Sequence, residues 1–302
     1  MTTIEAPLKY SNAYEYSTPG NAFCPGCGLA LAMRYCMKVL GEKVVLVTTV
    51  GCTPPSAGNF LVHNGMRLDG IGSPFGNIAI FAGGISSALK AQGHTDILVV
   101  GWGGDGATFD IGFGSLSASA ERNEDFLFIC VDNEGYQNTG NQKSSASPWM
   151  STNTTNPPGF SKMEFKKDID AIIAAHNVPY AAAANIAFPD DLMAKVEKAK
   201  NTKGFRFLHI FCPCPTGWGC GAELTMEIAR LAFDTKVFPI FEVENGSNMV
   251  INKQPKGLPL SEYLSTQRRF RGISDEDISK FEGAIEERWQ KLQHIAKFKP
   301  TT

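Results

Sequence analysis

Five short apolar runs stand out along the chain: KVVLVTTV (43–50), DILVVGW (96–102), FLFICV (126–131), FRFLHIF (205–211) and FPIFEV (238–243). Each is β-branched or aromatic and nearly continuous, which is how strands buried on both faces of a parallel sheet read. Between them, apolar positions recur at helical spacing near 27–40, 76–92, 111–121, 167–176, 189–200 and 222–233. This alternation predicts an α/β fold built on a doubly wound, mostly parallel sheet. Two stretches break the pattern. Residues 135–160, GYQNTGNQKSSASPWMSTNTTNPPGF, are rich in Asn, Ser, Thr, Gly and Pro, and an irregular segment of that length inside a compact domain is more often functional than idle. From about residue 246 the chain reads as an irregular arm, NGSNMVINKQPKGLPLSEYL, followed by an amphipathic terminal helix, DEDISKFEGAIEERWQKLQHIAKF. The expected division is therefore residues 1–245 as the α/β domain. Residues 246–302 form an arm and helix packed on that domain or on a partner subunit.

Composition narrows the classes. The 302 residues are 43% hydrophobic and 19% charged, with a formal net charge of −2 and no lysine or arginine run. Nucleic acid and anionic membrane are not expected partners. No stretch approaches the roughly 20 apolar residues that span a bilayer. The first residues lack the basic and apolar regions of a secretory signal, so a cytoplasmic protein is expected. In that compartment eight cysteines do not form a disulfide framework. Cys36 and Cys130 lie inside apolar runs and read as small core residues. Cys24, Cys27 and Cys52 cluster early, and Cys212, Cys214 and Cys220 late. The pair in FCPGCGLALA suits a redox dithiol, half of a zinc site or half of an iron–sulfur site.

The strand DILVVGW runs straight into GGDGATFDIGFGSL. Glycines at 104 and 106 let the backbone approach a ligand, and the following helix N-terminus offers free N–H groups to an anion. A carboxylate beside a bound diphosphate repels it unless a divalent cation lies between. Mg²⁺ takes one or two protein carboxylates together with phosphate oxygens. Asn133, 28 positions after Asp105, falls at the end of the next strand, where open α/β sheets bind ligands. Its side-chain oxygen and the Gly135 carbonyl complete a set of three donors. A Rossmann dinucleotide site is disfavoured, because the third-glycine position holds Ala or Thr.

This strand–GDG–helix–strand–N arrangement resembles the thiamine-diphosphate motif of thiamine-dependent enzymes. Together with C-P-G-C-G near the start, V-G-C-T after the first strand and P-C-P-T-G-W late in the chain, it resembles the β subunit of 2-oxoacid:ferredoxin oxidoreductases of the pyruvate synthase type, over roughly residues 20 to 245. The resemblance implies a thiamine-diphosphate-binding fold, with Gly51, Cys52, Gly104, Asp105, Gly106, Asn133, Gly135 and Asn138 at the cofactor and Mg²⁺ on Asp105, Asn133 and Gly135. It also implies a 4Fe-4S cluster on Cys24, Cys27, Cys52 and Cys214. Zinc is the structural alternative for four thiolates, and Cys212 or Cys220 is the rival to Cys214.

The implied reaction is oxidative decarboxylation of a 2-oxoacid such as pyruvate, with electrons passed to ferredoxin and the acyl group to coenzyme A. A more polar acid such as oxalate, or a non-redox decarboxylase with structural zinc, is the alternative. The implied partners are an α subunit that supplies the activating glutamate, and γ and ferredoxin-like δ subunits that carry electrons away. NEGYQNTGNQKSSASP matches the family's active-site loop, with Asn138 near the thiazolium and substrate. At Asn141 pyruvate-type relatives carry an apolar or small residue, so an amide there is expected to favour the more polar acid. His63, Arg67 and His209 have no assigned chemistry and are expected to be satisfied polar residues.

Overall fold

The computed structural model describes residues 9–10, 13–16, 21–53 and 69–297. Eight strands form one sheet: β1 (Val44–Thr48), β2 (Asp69–Gly72), β3 (Leu98–Gly104), β4 (Leu127–Asp132), β5 (Tyr180–Asn185), β6 (Arg206–Phe211), β7 (Phe241–Glu244) and β8 (Asn248–Ile251). Their order is β2-β1-β3-β4-β6-β5-β7-β8. The first six positions pair in parallel, while β7 and β8 close one side antiparallel. The helices are α1 (Gly28–Leu40), α2 (Ile78–Ala91), α3 (Phe113–Glu121), α4 (Ile169–Ala174), α5 (Pro189–Asn201), α6 (Pro215–Trp218), α7 (Thr225–Asp234), α8 (Leu260–Ser265) and α9 (Asp275–Lys297). One apolar cluster holds α1 and Trp102, and a second holds α2, Phe126 and Phe128. Covering both faces of the sheet in this way removes its central strands from water. Among the described residues no helix is long and apolar enough to cross a membrane.

The chain leaves β1 toward β2 on one side and returns to β3 on the other. The strand order therefore reverses between β1 and β3, and ligands of open α/β sheets bind at the carboxyl ends of strands at such a switch point. Three departures from the sequence expectations are physical. β5, YAAAAN, was not expected as a strand, because alanine favours helix. It lies fully buried between β6 and β7, where small side chains let both helix layers approach. The predicted helix over 111–121 starts at Phe113, preceded by a π-helical turn over Gly106–Asp110. Such wide turns recur at functional sites. The arm expected to be irregular contains β8, which joins the main sheet, and α8. α9 buries Phe281, Trp289 and Leu292, and Phe281 meets the Trp149 ring at 5.9 Å, tying the terminal helix to the long loop.

Candidate functional site

A cleft opens at the switch point. It is lined by Thr49–Thr53 after β1, by Gly104–Ala107 after β3, and by Asn133 and Gly135–Thr139 after β4. Three loops contribute because three parallel strands end there side by side. Gly106 is required by close approach: a Cβ at this position would lie 2.4 Å from the Tyr136 ring.

Asp105 is 1% exposed at the start of the π-helical turn. Burial, and then the neighbouring Asp132 carboxylate, push its carboxyl well above the usual range, partly opposed by the Ser144 hydroxyl. Ser144, on the loop expected to be functional, donates a hydrogen bond to Asp105 Oδ2. Asn133 Oδ1 lies 3.0 Å from Asp105 Oδ1 and 3.0 Å from the Gly135 carbonyl oxygen, so three oxygens face one another. Turning the amide over would make two hydrogen bonds there, yet a divalent cation resolves the same contact as it stands. Octahedral ligands at about 2.1 Å from a metal lie about 3.0 Å from their neighbours. In the same orientation Asn133 Nδ2 points at Cys52 Sγ, 3.8 Å away. The donor set of one carboxylate, one amide oxygen and one carbonyl suits Mg²⁺.

The cysteines converge on the same side of the cleft. The Cys24–Cys27 turn closes on itself through Cys27 N–H to the Cys24 carbonyl at 3.1 Å. It docks on the late segment through Gly28 N–H to the Pro213 carbonyl at 3.1 Å. Gly28 must be glycine for this approach, since a Cβ would lie 2.8 Å from that carbonyl oxygen. Cys214 caps α6, and Gly217 N–H points at its sulfur from 3.3 Å. Burial pushes the Cys52 thiol up to about 12, with the Cys214 and Cys27 thiols adding to it. Burial likewise brings Cys214 to about 11, against the Gly217 N–H and with Cys27 and Cys24 adding. Cys27 is raised by burial, opposed by the Ala30 and Leu29 N–H groups, and raised again by Cys24.

Cys27 and Cys214 thus feel Cys24, and Cys52 feels Cys27 and Cys214, a cost that bound cations reverse. Cys212 also feels Cys27, but burial sets it apart. It is fully buried in the core and donates to the Ile210 carbonyl at 3.3 Å. Cys220 is influenced after burial by Arg269 and Glu223, not by those four cysteines. Cys36 and Cys130 are core residues. Among the described residues no three His, Cys, Asp or Glu side chains converge on one ion. A 4Fe-4S cluster does not ask for that, because each thiolate takes its own iron.

Asn138 and Thr139 line the cleft. Asn141 is not among the residues lining it. Its φ is +62°, and its amide donates to the Gly217 carbonyl at 3.0 Å. That hydrogen bond ties the loop to the Cys214 segment. Gln137 lines the cleft in its stead, with Nε2 donating to the Asn133 carbonyl and Oε1 buried without a hydrogen-bond partner. Nothing in its sequence context marked Gln137 or Ser144 beyond their place in the long loop.

His209 is a satisfied polar residue, held between Asp132 and Asp170 at 2.8 and 3.0 Å. His63 and Arg67 lie outside the described residues.

Residues 49–210 match the family described as "Thiamine pyrophosphate enzyme, C-terminal TPP binding domain". Pyruvate synthase subunit PorB of Methanocaldococcus jannaschii is 41% identical over 289 residues, covering 92% of this chain and 96% of its own. Ketoisovalerate oxidoreductase subunit VorB of Pyrococcus abyssi is 39% identical over 287 residues, with 92% of each chain covered. Among solved structures, a 2-oxoglutarate:ferredoxin oxidoreductase from Magnetococcus marinus superposes with a TM-score of 0.57 at 23% identity, over 72% of this chain and 79% of that one. At that identity the superposition speaks for the fold.

Proposed function

The chain belongs to the 2-oxoacid:ferredoxin oxidoreductases, as a subunit of the thiamine-diphosphate-binding type, and from that membership we propose how its residues divide the reaction. Asp105, Asn133 and the Gly135 carbonyl hold Mg²⁺ against the diphosphate of thiamine diphosphate. Gly51, Gly104 and Gly106 admit the cofactor along the backbone. Cys24, Cys27, Cys52 and Cys214 hold a 4Fe-4S cluster. The observation that carries this reading is Asn133, whose oxygen joins the acceptor triad while its nitrogen faces Cys52. One side chain so placed would set a bound metal beside a bound cluster.

When bound, thiamine diphosphate supplies the electron sink for loss of carbon dioxide, and the cluster accepts electrons one at a time. The chain's own work is to fix both. Ser144 orients Asp105, and the Gly217 and Asn133 N–H groups direct hydrogen bonds at the Cys214 and Cys52 sulfurs. Bonds of that kind stabilise thiolates and tune cluster potential.

The substrate proposed is a 2-oxoacid with an apolar side chain, of the pyruvate or ketoisovalerate class for which the two relatives are named. Coenzyme A is the proposed acyl acceptor and ferredoxin the electron acceptor. The α subunit supplies the activating glutamate, and γ and ferredoxin-like δ subunits or their fusions complete the complex. The test is 2-oxoacid- and coenzyme-A-dependent reduction of ferredoxin by the anaerobic complex, with the isolated, cofactor-loaded chain silent. Turnover by the isolated chain would overturn the half-site reading, and zinc in place of iron would overturn the cluster.

A further inference from the structure

Arg269 is a buried cation of the C-terminal arm. Its side chain is 4% exposed. Nη2 donates to Glu134 Oε2 at 2.6 Å and to the Tyr263 hydroxyl at 3.0 Å, and Nε donates to Gln267 Oε1 at 2.9 Å. The guanidinium lies 3.7 Å from the centroid of the Trp218 ring. A desolvated cation stacked so closely on an indole contributes more than an exposed one, and lysine does not reproduce a fork that stacks and bonds at once.

Its two anchors lead to the two halves of the site. Glu134 follows Asn133 directly and sits at a φ of +60°, so its backbone depends on outside support. Trp218 lies one helical turn after Cys214, its N–H bonding the Cys214 carbonyl at 2.9 Å. The Trp218 indole also donates to the Asn133 carbonyl at 2.9 Å. Glu134, Asn133 and Trp218 therefore form a closed circuit that Arg269 completes. The adjacent Gly219 packs against Arg268, where a Cβ would lie 2.8 Å from the Arg268 Cβ, so the arm and the cysteine segment are fitted together over two residues.

We propose that Arg269 is a positioning residue that locks the metal-binding loop to the Cys214 segment and, as a fixed buried cation beside that segment, raises the reduction potential of the cluster. The inference rests on the cluster reading above. Adding an electron to a buried centre is favoured by a nearby positive charge that water does not screen. The second carboxylate oxygen of Glu134 is held by Lys166 at 2.9 Å, so removal of Arg269 leaves Glu134 paired and shifts the local balance toward negative charge.

The experiment is a potentiometric titration of the intact complex followed by electron paramagnetic resonance, tracking the signal that Cys52→Ser abolishes. Arg269→Gln should retain that signal at a lower midpoint potential. Arg269→Lys should keep the potential near wild type while weakening thiamine diphosphate binding several-fold, because charge remains and the fork is lost. Glu134→Gln, which leaves the guanidinium charge uncompensated, should move the potential upward. An unchanged potential in Arg269→Gln overturns the proposal. Should that variant lose its iron, the Glu134→Gln shift decides, and an unmoved potential there overturns it as well. A wild-type complex without any Cys52-dependent signal sinks the cluster reading and this inference together. A signal whose potential ignores both variants sinks only the inference.

Discussion

At the scale of single residues, the site turns on amide orientation. Asp105, Asn133 and Gly135 were legible from spacing, because a carboxylate and an amide at the ends of consecutive parallel strands must meet at the sheet's carboxyl edge. Asn141 was not legible in the same way. Its left-handed backbone swings the amide to the Gly217 carbonyl, and no pattern of residue types announces the sign of φ. Asn141→Gly, which suits that backbone, should therefore leave the kcat/KM ratio between pyruvate and oxalate unchanged. Asn141→Ile should cost about 1–3 kcal/mol in denaturant unfolding, since a β-branched residue is strained there. A shifted substrate ratio in the glycine variant would return Asn141 to the pocket. Ser144 was equally silent in the sequence, being one serine among several in a polar loop. Its hydroxyl is the partner that orients Asp105. Hydrogen bonds to charged groups are worth about 1.5–3 kcal/mol, so Ser144→Ala should weaken Mg²⁺-dependent thiamine diphosphate binding by about tenfold or more in a calorimetric titration. Unaltered affinity would show that the hydroxyl contributes nothing to the metal site.

At the scale of elements, the buried strands were legible because continuous apolar runs have few other uses. β5 escaped because its four central alanines carry neither β-branching nor periodicity. Its pairing with β6 and β7 overrode intrinsic preference. The long loop was legible as functional but not as a packed body. Its Trp149 is buried against Phe165 and Phe281, a tertiary arrangement with no local signature.

β4, β6 and the start of α4 also share a buried charge network. Burial alone would lower the His209 pKa, but the Asp170 and Asp132 carboxylates outweigh it and bring the imidazole to about 9. A folded value above the ordinary 6.5 means the folded state binds the proton more tightly. That stabilisation is fully present below pH 6.5 and is lost as pH rises through 9. The Tm deficit of His209→Gln should therefore be largest below pH 6.5 and narrow toward pH 9. A deficit independent of pH would mean the imidazole is neutral in the fold.

At the scale of the whole molecule, the fold brings together segments far apart in sequence at one edge of one sheet. The turn before α1 docks on the segment after β6, and the loops after β1, β3 and β4 wall the cleft beside it. The C-terminal arm, expected only to pack, returns Arg269 to the back of that assembly. The central claim is that two cofactors occupy adjoining but separately held halves of this edge, with Asn133 facing both. Iron and thiamine diphosphate measured together in anaerobically purified complexes of Cys52→Ser and Asp105→Ala test it most directly. The account predicts that Cys52→Ser loses the four irons assigned to this chain and keeps thiamine diphosphate, whereas Asp105→Ala keeps the iron and loses thiamine diphosphate. Retention of both cofactors in either variant would contradict it.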